Sequence, residues 1–199
     1  TGANISNSGT ISGVTALTLA SGASVTMKAA QNELFTGTIT APGNEKITIT
    51  GDDAITTRSN IETYELGDDT TNARTVTIGS AALNLIANNG TDTVTVGAAL
   101  LANNAALTLA AASASNLIVN ALVGGLVATN LTGTLEVTTA NNTADNGISI
   151  TTGSANTKVN VSAGAASDTV SINATALANN TDLTINASGA AAAGTVNIT

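Results

Sequence analysis

Four aspartates, Asp52, Asp53, Asp68 and Asp69, are the residues whose type and spacing could most readily do chemistry. They stand in two Gly-Asp-Asp steps that begin at Gly51 and Gly67. Carboxylates carried on turns are oxygen ligands suited to a hard cation, so the pattern points to a calcium site. The same steps also make sound turns and supply surface charge with no ligand at all. Asp92 and Asp168 occupy equivalent places further along and are read as turn residues that hydrogen-bond their own backbone. Enzymatic chemistry has little to work with. The chain holds no His and no Cys, which removes Ser-His and Cys-His nucleophiles and zinc on imidazole or thiolate. Two carboxylates can hydrolyse a glycoside, but such sites line a sugar groove with aromatic and basic residues. Here there are one Phe, one Tyr, no Trp and 5 Lys+Arg. The sequence therefore reads as a non-enzyme that requires no cofactor.

The elements that must carry these residues are shaped by composition. Hydrophobic content is 43%, nearly all of it Ala, Val, Ile and Leu, with aromatics at 1%. A core of this kind lacks the large areas that aromatic rings bury, and suits stacked strands in which like residues form ladders. A formal net charge of −8 disfavours nucleic acid and anionic membrane surfaces. No apolar run approaches the ~20 residues of a membrane helix, and no basic region followed by an apolar one marks a signal peptide.

An internal repeat dominates the pattern. Residues 91–109 (TDTVTVGAALLANNAALTL) return 76 positions later, at 167–185, as SDTVSINATALANNTDLTI, with ten of nineteen positions identical. Recurrence without gaps over that length sets the architecture. Short alternating strands are expected at 17–19, 24–27, 36–40 and 60–66. From residue 75 onward, apolar-polar-apolar triplets begin at Val76, Leu83, Val94, Leu107, Leu135, Ile148, Val159, Val170, Leu183 and Val196. The last six are spaced by 13, 11, 11, 13 and 13 residues, so alternate triplets lie 22 to 26 apart. Each reads in-out-in. The spacing predicts an all-β parallel β-solenoid with coils of about 22–26 residues, the alternative being a tandem of antiparallel β-sandwiches. Roughly eight coils rising ~4.8 Å each would make a rod of about 40 Å, the 76-residue repeat then spanning three coils. Residues 1–74 form the more irregular, acidic portion and 75–199 the regular one. Within the first, residues 28–35 (KAAQNELF) alone have helical composition and are read as a one-turn insertion or a cap.

The stretches TMKAAQNELFTGTIT (26–40), ITGDDAITTRSNIETYELGDD (49–69) and TVTIGSAALNL (75–85) resemble repeat regions of very large secreted bacterial surface proteins, S-layer-like and adhesin-like. Gly90-Thr91-Asp92-Thr93-Val94 and Ala166-Ser167-Asp168-Thr169-Val170 are similar to calcium-binding nonapeptide repeats that have lost most of their glycines. The resemblance implies an extracellular, cell-surface structural protein, a segment of a surface layer, filament or adhesin stalk. The strand pattern still running at 195–199 adds the expectation that copies associate end to end or by strand exchange. Two alternatives remain: an adhesion module binding calcium or a surface glycan at the acidic segment 45–69, and an ice-binding array of outward threonines (Thr36, Thr38, Thr40; Thr48, Thr50; Thr93, Thr95). Against the last, equivalent positions in later strands are Ser149, Asn160, Ser171 and Asn197. Asn-x-Ser/Thr sequons, such as those at Asn130, Asn173 and Asn179, are frequent enough in this composition to arise by chance.

Overall fold

A computed structural model of the chain describes residues 2–7, 11–51, 53–67, 73–87, 92–110, 113–140, 147–162, 169–189 and 194–199. The first part carries β1 (Gly2–Asn4), β2 (Leu17–Thr18), β3 (Ser24–Lys28), the single helical turn α1 (Ala29–Asn32), β4 (Ile39–Thr40), β5 (Lys46–Thr50), β6 (Ile55–Thr56) and β7 (Thr63–Leu66). There follow β8 (Ala73–Thr77), β9 (Leu83–Ala87), β10 (Thr93–Gly97), β11 (Ala106–Leu109), β12 (Asn116–Leu122) and β13 (Gly125–Val127). The last are β14 (Leu135–Thr139), β15 (Ile148–Thr151), β16 (Thr157–Asn160), β17 (Thr169–Asn173), β18 (Leu183–Asn186) and β19 (Thr195–Ile198). Odd-numbered strands stack into one ten-stranded sheet. Even-numbered strands from β6 to β18 make a seven-stranded sheet, and β2 pairs with β4. All pairings among these strands are parallel. The chain is a parallel β-solenoid of about eight turns, each with one odd and one even strand, and the antiparallel alternative is set aside.

Alternation explains why these residues stack. On the even sheet one inward ladder runs Ile55, Val76, Val96, Val119, Val137, Val159, Ile185. It is β-branched throughout, and such side chains hold one χ1 and sit well on a pleated surface. On the odd sheet Leu83, Leu107, Leu126, Ile150, Ile172 and Ile198 form another. Burying each such side chain contributes roughly 1.5–3 kcal/mol. The charged Arg74 also takes an inward place, opposite Val94. It is buried, with Nη2 donating to the Gly67 carbonyl at 3.4 Å.

The few large side chains gather at the N-terminal end, where Met27, Phe35 and Tyr64 are all buried. There α1 forms the expected one-turn insertion and ties several coils together. Gln31 accepts from the Lys28 amide at 2.8 Å and donates to the Ile5 carbonyl, also at 2.8 Å. Asn32 donates to the Thr56 carbonyl at 2.9 Å. The Tyr64 hydroxyl donates to Asn32 Oδ1 at 3.0 Å and accepts from the Arg58 amide at 2.9 Å. Arg58 in turn donates to the Asn32 carbonyl and pairs with Glu33 at 2.8 Å. Burial holds the Tyr64 phenol well above its ordinary pKa, an effect only partly offset by the Arg58 amide bond and charge.

Three details depart from the sequence reading. Partners on neighbouring coils are 17 residues apart at Thr48 and Glu65, 18 at Asn116 and Thr134, 22 at Glu136 and Lys158, and 26 at Asn156 and Asp182. Coil length thus extends below the expected range. The 18-residue coil closes because Gly133 packs against the coil beneath: a Cβ there would lie 2.1 Å from the Ser115 carbonyl oxygen and 2.4 Å from that of Ala114. The sequence pattern places no strand at β1, β6, β12 or β13: β1 and β6 are too short to show alternation, outward Ile118 breaks it in β12, and Gly125 opens β13 without an apolar side chain. Finally, the 76-residue repeat spans three and a half coils, not three. It relates β10 of the even sheet to β17 of the odd one, seven strands on.

Candidate functional site

A depression of about 400 Å³ lies on the outer face of the even sheet, where β10, β12, β14, β16 and β18 begin. Its position coincides with the change in coil length from 18 residues at Asn116–Thr134 to 22 and then 26 beyond. Two rows of side chains cross it, one member per coil. The row at the strand starts is Asn116, Thr134, Asn156 and Asp182. Asn116 Oδ1 accepts from the Thr134 amide at 3.1 Å and from its hydroxyl at 2.7 Å. Asn156 Oδ1 accepts from the Asp182 amide at 2.9 Å. These bonds fix both amide groups from one side.

The second row is Ile118, Glu136, Lys158 and Thr184, in register across β12, β14, β16 and β18. Alternation points all four outward. Lys158 Nζ donates to Glu136 Oε1 at 2.8 Å, and Asn160 Nδ2 reaches the same oxygen at 3.1 Å. The Lys158 hydrogen bond holds the Glu136 carboxyl below its ordinary pKa, Asn160 and the Lys158 charge adding to the effect against a desolvation penalty. The pair is half-exposed, so solvent screening keeps its contribution to stability near the bottom of the 0–1 kcal/mol range. The site's chemistry is multiple hydrogen bonding: amide and ammonium donors, carboxylate and hydroxyl acceptors, and an ion pair that neutralises itself.

Of the four aspartates singled out by type and spacing, Asp53 is exposed, between β5 and β6. Asp52, Asp68 and Asp69 lie outside the described residues. Among the described residues no three His, Cys, Asp or Glu side chains gather as a metal site. Several acids of the same segment serve the coil stack. Buried Glu45 accepts from the Gly43 amide through both oxygens, at 3.1 and 2.8 Å. Glu62 accepts from the Glu45 amide at 3.1 Å, and Glu65 pairs with Lys46 and accepts from Thr48 at 3.2 Å. Asp92 offers its backbone carbonyl to the Asn116 amide at 2.8 Å, while Asp168 lies outside the described residues. The outward threonines make short runs. Thr26 and Thr48 are followed by Glu65, and Thr95 by Ile118.

Sequence reasoning did not single out Glu136, Lys158, Asn156 or Asp182. One signal was present: Glu136 and Lys158 are opposite charges at outward positions one coil apart, 22 residues. Comparison of the chain with protein-family models, with curated proteins and with solved structures finds no match.

Proposed function

We propose that this chain is a structural protein, a self-associating solenoid segment of an extracellular bacterial surface layer, filament or adhesin stalk. The observation that carries the reading is the fold itself, a parallel β-solenoid of about eight turns in which the even-sheet ladder from Ile55 to Ile185 repeats one β-branched side chain per coil. Coils stacked in parallel register present the same backbone edge at every level, so a coil of one copy is a template for a coil of another. Small ladder residues favour such stacking, because they lose little side-chain entropy on ordering. The resemblance of residues 26–40, 49–69 and 75–85 to surface-protein repeats supports the extracellular setting.

Sedimentation velocity and electron microscopy of the 199-residue chain, from micromolar to millimolar concentration and with or without Ca²⁺, test the reading. Rods that lengthen with concentration are expected. A monomer at millimolar concentration under both conditions would refute self-association. A dependence on Ca²⁺ would restore the acidic segment as a working site.

A further inference from the structure

The outer depression over β12, β14, β16 and β18 has a use that a passive rod does not need. We infer that it binds a neutral, extended glycan of about four sugar rings, lying along the solenoid axis. The inference is independent of the self-association reading.

Three features carry it. The first is periodicity: the depression crosses strands that rise by one rung, ~4.8 Å, per coil, and an extended sugar polymer advances by roughly the same distance per ring. Three of the four rungs offer a polar side chain from each row, Thr134 with Glu136, Asn156 with Lys158 and Asp182 with Thr184, while β12 sets Asn116 beside apolar Ile118, so three successive rings meet a similar set of partners. The second is preorganisation. Asn156 Oδ1 is engaged by the Asp182 amide, which fixes the side-chain plane and leaves its NH2 as the donor for a ligand. Glu136 is kept ionised by Lys158 and engages one carboxylate oxygen with it, so Oε2 is an acceptor already oriented. The third is charge. The Glu136–Lys158 pair cancels itself, which among the described residues leaves the carboxylate of Asp182 as the unbalanced charge of the lining. That balance favours a ligand with many hydroxyls and no charge over phosphate, nucleic acid or sulfated polymers.

No aromatic ring lines the depression, so stacking adds nothing and the affinity of one chain is set by hydrogen bonds alone. Dissociation constants near the millimolar range follow. Several copies presented together would raise the apparent affinity by multivalency.

The test is a two-dimensional amide NMR titration of the whole chain with cellotetraose, xylotetraose and β-1,4-mannotetraose, each compared with its monosaccharide at equal ring concentration. The expected result is that at least one tetrasaccharide shifts amides at the starts of β12, β14, β16 and β18, while its monosaccharide does not. Lys158→Met and Thr184→Val alter outward, exposed side chains and should preserve the melting temperature. Each should weaken binding, Lys158→Met by about tenfold because it removes a charged donor. No shift with any tetrasaccharide would overturn the inference. So would shifts elsewhere on the chain, or shifts unchanged in both variants. Sedimentation of the same samples reports separately on self-association.

Discussion

Tyr64 offers a sharp test of how the N-terminal coils are held, because it is the one tyrosine in a chain without tryptophan. Its hydroxyl lies between Asn32 Oδ1 and the Arg58 amide, and the residue is fully buried. A phenol removed from water resists ionisation, so the folded-state pKa stands above the ordinary value of about 10. The sign follows from linkage. Below pH ~10 neither state loses the proton and the contribution of Tyr64 is fully present. Above it the unfolded chain ionises while the folded chain does not, so stability falls as pH rises toward the raised folded value. The slope is at most about 1.4 kcal/mol per pH unit, or roughly 2 kcal/mol lost by pH ~11.5. The assay is urea unfolding at stepped alkaline pH, alongside tyrosinate absorbance and circular dichroism of the native protein. Absorbance should stay flat past pH ~10 and rise only together with loss of β-structure. Tyr64→Phe should be less stable at neutral pH by about 2–4 kcal/mol, since buried Asn32 Oδ1 and the Arg58 amide each lose a partner. The gap between wild type and variant should then narrow above pH ~10. A reversible titration near pH 10 with native dichroism intact would show that the hydroxyl is not held as described.

Three further outcomes follow from the coil geometry. The hydroxyl of buried Thr152 has no hydrogen-bond partner among the described residues, so Thr152→Val should raise stability by about 1 kcal/mol; a lower urea midpoint would reveal a hidden partner. Gly133→Ala places a methyl against the Ser115 and Ala114 carbonyls and should cost at least about 2 kcal/mol, read as a lowered midpoint. Wild-type stability in that variant would mean the 18-residue coil is not closed by this contact. Deleting residues 93–168 joins Asp92 to Thr169 and sets Val170 and Ile172 where Val94 and Val96 stood, above Arg74 and Val76. The shortened chain should fold with parallel β dichroism and a smaller denaturant dependence, whereas a misfolded product would show that the two sheets are not interchangeable.

The architecture was legible because alternation is a local signal. In Val170-Ser171-Ile172 the two apolar residues are buried and the serine faces out, as the triplet alone implies. Where the outward residue is itself apolar, as at Ile118, that signal fails and β12 passes unnoticed. The polar depression was illegible for a different reason. Its members, Asn116, Glu136, Lys158 and Asp182, lie on or just before separate strands with no motif between them, and only the coil lengths bring them to one face. Those lengths depend on how closely backbones approach at positions such as Gly133, a property of pairs of coils rather than of any single segment.

The same distinction explains the misjudged length of the repeat. Counting triplets treats a whole coil as the unit, but the sequence repeats after seven strands, an odd number, so the copy lands on the opposite sheet. An inward ladder on one face must then accept residues drawn from the other, and it does: Val170 and Ile172 line the odd sheet as Val94 and Val96 line the even one. The working unit of this solenoid is a strand and a corner. Outward residues are under no such constraint, and it is there that the two faces differ, with Glu136 and Lys158 on the even sheet where the odd sheet carries Ser149 and Ser171. A fold with interchangeable interior halves can therefore acquire a binding surface on one face without altering its core.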